Sequence, residues 1–164
     1  MKRGEKLMRY EGMVYRPPSE AYSFILQTTI GCPHNKCTFC NLYREKKFRI
    51  RSVQELKEDI DEGKKYYGEE VRSLFLADGN SILMKTDQLA EIIAYAYKVF
   101  PRLERVTTYG SSQYIDKKTE AEMKTLREAG LTRIHTGMET GYDPLLEEIN
   151  KGNQGGAKSP PGRN

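Results

Sequence analysis

The chain reads as an α/β protein: a partial (β/α) barrel of about four βα units on a parallel sheet. Two observations predict this. Strand-like and helix-like segments alternate four times along the sequence, and strands joined by helical crossovers pair in parallel. Each polar or glycine-rich cluster also falls just after a strand: Cys32 to Cys40, Asp78 to Asn80, Gly110 to Gln113, and Glu139 to Gly141. Parallel sheets of this kind place ligands at the C-terminal ends of their strands, so four loops converge on one rim. Four units do not close an eight-unit barrel of ~250 residues.

Residues 1–22 are polar and contain Pro17-Pro18, which predicts an extended lead-in. The apolar run Phe24 to Ile30 places the first strand at 23–30. Residues 31–51 form a long loop, with the cysteines at its head and a basic stretch, Arg44 to Arg51, at its end. That stretch reads as a solvated face. Ser52 with Glu55 makes a capping box ahead of Val53, Leu56 and Ile60, and Gly63 weakens the end of that helix. Residues 71–76 are the second strand, closed by Ala77-Asp78-Gly79-Asn80. Thr86 is expected to cap a helix through Leu89, Ile92, Ile93, Tyr95, Ala96 and Val99, which Pro101 stops. Arg105 to Tyr109 is the third strand. Asp116 to Ala129 is the third helix, with Gly130 as its stop. Residues 132–138 are the fourth strand, and Asp143-Pro144 opens the fourth helix. Tyr66, Tyr67, Tyr95 and Tyr97 fall at helical packing positions, and His135 reads as a core histidine.

The domain is therefore 23–150. Residues 151–164 carry no apolar side chain larger than Ala157 and are expected to be disordered. The abrupt change suggests a fragment of a longer protein, or an altered C-terminus.

A chain of 164 residues is long enough for one cored domain. Its net charge of +4 includes three positive charges, Lys151, Lys158 and Arg163, in an acid-free tail. The remainder is nearly neutral and gives no nucleic-acid footprint. No segment approaches the ~20 apolar residues of a membrane span, and the N-terminus lacks the apolar core of a signal peptide. Three clustered cysteines make no disulfide framework. Thiols kept reduced point to the cytoplasm.

Cys32, Cys37 and Cys40 are spaced Cys-x4-Cys-x2-Cys directly after a strand. A zinc site would need His34 as fourth ligand, but His34 lies inside the loop between the first two cysteines. A plant-type [2Fe-2S] site shares the spacing but needs a fourth cysteine downstream, which the sequence lacks. The third reading is a [4Fe-4S] cluster held by three thiolates, with one iron left open. The competing class is a non-catalytic zinc- or iron–sulfur-binding module.

The stretch resembles the radical S-adenosylmethionine (radical SAM) superfamily, whose usual signature is Cys-x3-Cys-x2-Cys after the first barrel strand. This chain has one extra residue in the first gap. Phe39 matches the aromatic that usually precedes the last cysteine, near the adenine, and the resemblance spans roughly residues 20–150. It implies a partial barrel of radical SAM type that binds a [4Fe-4S] cluster and S-adenosylmethionine. The activity implied is reductive cleavage to a 5′-deoxyadenosyl radical that abstracts hydrogen from a substrate. An electron donor such as flavodoxin or ferredoxin is implied too. Asp78-Gly79-Asn80 stands where the family often has Gly-Gly-Glu; there the Asn80 amide oxygen would accept from the methionine ammonium. Ser111, with Ser112 and Gln113, would lie near the ribose or substrate. Glu139 sits in a Met-Glu-Thr-Gly segment like one whose acid points to the cofactor.

Overall fold

A computed structural model of the chain describes residues 9–152; the expectations for 1–8 and 153–164 lie outside the described residues. In chain order the elements are β1 (Phe24–Gln27), β2 (Thr29–Ile30), β3 (Arg49–Ile50), α1 (Val53–Tyr67), β4 (Ser73–Ala77), α2 (Thr86–Val99), β5 (Arg105–Tyr109), α3 (Ser112–Ile115), α4 (Glu120–Ala129), β6 (Leu131–His135) and α5 (Asp143–Glu148). The strands β1-β4-β5-β6 form one sheet in that order, and every pair in it is parallel. The sheet is open, as four units require. This is the α/β partial barrel that the alternation predicts.

Strand side chains alternate faces, and the two faces here differ in chemistry. Phe24, Leu26, Leu74, Leu76, Val106 and Leu131 form a buried core with Leu56 and Ile60 of α1, Leu89, Ile92 and Ile93 of α2, and Leu126 of α4. The opposite face carries Gln27, Ser73, Phe75, Thr107, Tyr109 and His135, a polar and aromatic set. The lead-in packs along this part of the molecule: Tyr10 Oη donates to Ile25 O at 2.8 Å, and Glu20 is buried against Ser23 and His135.

Several local expectations shift. The first strand breaks at Thr28: β1 stays in the parallel sheet, while β2 pairs antiparallel with β3, a strand inside the expected loop. The second strand runs 73–77 rather than 71–76, and the fourth 131–135 rather than 132–138. The lead-in contains a 3-10 turn at Pro18–Glu20. Gly63 does not end α1. It is buried within the helix, where a Cβ would stand 2.5 Å from the Phe24 ring, so glycine is there for close packing. Thr86 is the first helical residue rather than the cap; its hydroxyl donates to Glu122 Oε1 at 2.7 Å. The third helix starts at Glu120 rather than Asp116, capped by a second capping box, Thr119 with Glu122, and the short α3 (Ser112–Ile115) forms ahead of it in the segment expected to be loop. Ser52 with Glu55, Gly130, and Pro144 in the first turn of α5 stand as predicted.

The basic stretch is a solvated face only in part: Arg44, Lys47 and Arg49 are exposed, but Lys46 and Arg51 turn inward. Arg51 is 3% exposed and bonds Asp59 at 2.6 Å and Gln27 O at 3.0 Å. Lys46 reaches Asp78 at 2.9 Å, and Arg49 pairs with Glu11. These charges tie the loop to the sheet and to α1.

Candidate functional site

The cysteine loop leaves the end of β2 through Gly31, whose φ of +74° suits glycine. Arg44 then binds the loop to itself. Its guanidinium donates to Asn35 O at 2.7 Å, Cys37 O at 2.6 Å and Cys40 O at 3.1 Å. Asn35 Nδ2 closes the turn on Tyr43 O at 2.8 Å. From the other side, the end of α5 docks on the loop. Thr38 N donates to Ile149 O at 2.9 Å, Asn150 Nδ2 donates to Lys36 O at 3.2 Å, and His34 Nε2 lies 2.7 Å from Asn150 O. A loop with no regular structure is thus fixed by polar bonds to its own carbonyls.

Cys32, Cys37 and Cys40 are free thiols, each partly exposed, and all three line one cavity of about 280 Å³. Phe39, Gly79, Asn80, Ser111 and Glu139 line it too, as do Tyr15, Tyr43, Tyr109, His135 and Lys151. The loops after β2, β4, β5 and β6 therefore meet at the rim that the sequence predicts. Among the described residues no three His, Cys, Asp or Glu side chains converge tightly enough to hold a single metal ion.

Asp78 is placed differently from its neighbours. It is fully buried and does not line the cavity; one oxygen accepts from Gln27 Nε2, Gly31 N and Lys46 Nζ, each at 2.9 Å. It anchors the start of the cysteine loop. Asn80 is left-handed at φ +76°, and its Oδ1 accepts from Ser111 N at 2.6 Å and Ser111 Oγ at 2.8 Å. The oxygen expected to face an ammonium is thus engaged by Ser111. Asn80 Nδ2 instead donates to Cys32 Sγ at 3.6 Å. Glu139 Oε1 accepts from Lys151 Nζ at 2.5 Å, and that ammonium sits 5.5 Å from the centre of the Phe39 ring. Lys151 was expected in the tail, yet it is only 12% exposed in this pair.

The cavity wall is tuned by burial. Desolvation pushes the Cys37 thiol up, and it pushes the Tyr43 phenol up strongly. His135 bonds Glu20 Oε1 at 3.0 Å from the polar face of the sheet. Burial raises the Glu20 carboxyl, but hydrogen bonds from Ser23 and His135, together with the Thr107 hydroxyl and the charge of Arg105, outweigh it and hold the group below its ordinary range.

Sequence reasoning missed Arg44, Lys151, Tyr15 and Tyr43. Arg44 follows Cys40 by one helical turn's spacing, but nothing local marks its fork as aimed inward. Tyr43 lies in the same loop, where only burial shows that it turns inward, and Tyr15 and Lys151 arrive from segments distant in sequence.

A search of curated proteins found no match to the chain. A family model described as the radical SAM superfamily matches residues 26–156, which takes in the end of β1, the cysteine loop, the other three strands of the parallel sheet and α5. The three thiols on a loop after the first strand, the open parallel sheet and that match agree: the chain belongs to the radical SAM superfamily.

Proposed function

We propose that the chain binds a [4Fe-4S] cluster through Cys32, Cys37 and Cys40 and uses it with S-adenosylmethionine to start a radical reaction. The observation that carries this reading is the convergence of three free thiols from one loop onto one cavity. A cubane takes one thiolate per iron, so three thiols lining one cavity suit it, and the lack of a fourth cysteine leaves one iron open. When bound, the cluster supplies one electron to the sulfonium, giving methionine and a 5′-deoxyadenosyl radical that takes hydrogen from a substrate.

The protein's part is to position and to exclude water. Arg44 and the end of α5 hold the cysteine loop in shape. Asp78 fixes Gly31, the residue before Cys32. Phe39, Tyr43 and Tyr109 give apolar ring surface for a nucleoside. Glu139 and Lys151, opposite in charge and paired at the cavity, match the ammonium and carboxylate of a methionine group. The Ser111 hydroxyl, which donates to Asn80 Oδ1, keeps its acceptor side for the ribose or substrate. The electron would come from a carrier such as flavodoxin or ferredoxin, docking where Phe39 and Leu42 are exposed beside Cys40.

The test is anaerobic reconstitution followed by dithionite and S-adenosylmethionine, with 5′-deoxyadenosine read by chromatography. Its formation, and its loss in Cys32→Ala, supports the reading. Stoichiometric zinc with no product would replace it with the metal-binding module.

A further inference from the structure

The three cysteines are not equivalent. The segment after β4 builds a seat for Cys32 alone. Asp78 grips Gly31 N at 2.9 Å, and a Cβ on Gly79 would lie 3.1 Å from Cys32 Cβ, so glycine lets that backbone close on the thiol. Asn80 completes the seat with its amide on the sulfur. The orientation of that amide is fixed by its other end. Ser111 N–H can only donate, so the atom it meets at 2.6 Å must be Oδ1, and Nδ2 is left for the sulfur. The left-handed backbone at Asn80, a conformation asparagine tolerates better than most residues, holds the side chain there. No such side-chain amide is found on Cys37 or Cys40 among the described residues.

We infer that Asn80 is a positioning residue that raises the reduction potential of the cluster by donating a hydrogen bond to the Cys32 sulfur, with Ser111 holding the amide in place. The inference rests on the cluster reading above. Reduction adds negative charge to the cluster, and an N–H aimed at a ligand sulfur stabilises the more negative state. Ser111, on the loop after β5, thereby reaches the cluster through Asn80 without touching it. Asn80 thus acts on the cluster sulfur as a donor, where the family resemblance had cast it as an acceptor for the cofactor.

Two variants test this on the full chain. Asn80→Asp keeps the shape and the acceptor for Ser111 but removes the donor. Asn80→Gly suits the left-handed backbone and removes the donor without adding charge. Both are reconstituted, checked for iron and sulfide, and titrated potentiometrically with the reduced cluster followed by electron paramagnetic resonance. Loss of one charge-assisted hydrogen bond predicts a midpoint shift to more negative potential by about tenfold in the reduction equilibrium, ~59 mV for one electron. Asn80→Asp shifts further than Asn80→Gly. Failure of both variants to load, with far-ultraviolet circular dichroism unchanged, overturns the tuning role and leaves Asn80 a structural support for Cys32 alone. Full loading with the parent midpoint in both overturns the inference. A parent chain that binds no cluster is seen at the iron assay and sinks the functional reading instead.

Discussion

Arg44 is the side chain on which the shape of the cysteine loop most depends. Arg44→Gln removes a planar donor that bonds three carbonyls, those of Asn35, Cys37 and Cys40. A shielded bond from a charged donor contributes ~1.5–3 kcal/mol, but Arg44 is exposed, so the three together are discounted to ~1–2 kcal/mol. That energy orders a loop, not the core, so it sets the ratio of closed to open loop. The open population should rise ~5–30-fold. Iron is stripped from the open form, so the reconstituted variant should lose iron to a chelator faster by a similar factor. Absorbance of the iron–chelator complex reads this directly. The thermal melt of the metal-free chain should hardly move. Lys47→Gln, farther along the same loop, removes a charge without breaking these bonds and should behave as the parent. An Arg44→Gln variant that releases iron at the parent rate refutes the clasp.

The remaining predictions concern the frame beneath the site. Arg51→Met leaves Asp59 buried with only Arg9 as partner, at 2.6 Å. Breaking a buried pair costs ~3–5 kcal/mol, and the remaining Arg9 bond favours the lower end, so the melting temperature should fall by ~6–12 °C in calorimetry; an unchanged melt contradicts the buried-pair account. Glu20 gives a pH signature. A carboxyl held low in the folded chain adds stability above its ordinary value of 4.5, and that part drains away as pH falls through the lower folded value. The stability difference between the parent and Glu20→Gln, from urea unfolding at a series of pH values, should therefore shrink on acidification. A difference that widens instead would show that Glu20 is not held ionised by Ser23 and His135.

Much of this architecture is legible in the sequence because it is local or periodic. Ser52 and Glu55 mark a helix start through bonds three residues apart, and the apolar runs at Leu26, Leu74 and Val106 announce a parallel sheet buried by helices. The cysteine spacing and its place after a strand are equally local. What escaped the reading is made by tertiary contact. Gly63 looks like a helix breaker until the Phe24 ring is seen to occupy the space a side chain would need. Arg51 looks solvated until Asp59, on the next helix, is found beside it. Asp78 and Asn80 read together as cofactor contacts, yet one side chain is buried under Gly31, Gln27 and Lys46 and the other is turned to a sulfur. Lys151 follows the last helix and joins a tail-like composition; only the docking of Asn150 and Ile149 on the cysteine loop brings it to Glu139.

The claim beneath all of this is that one iron of a three-thiolate cluster stays free to take the sulfonium cofactor. Electron paramagnetic resonance of the reduced, reconstituted chain before and after addition of S-adenosylmethionine tests it most directly. The account predicts a reduced [4Fe-4S] signal whose shape changes on addition, and no such signal once Cys32, Cys37 and Cys40 are replaced by alanine. A signal indifferent to the cofactor, or one that survives the triple replacement, contradicts it.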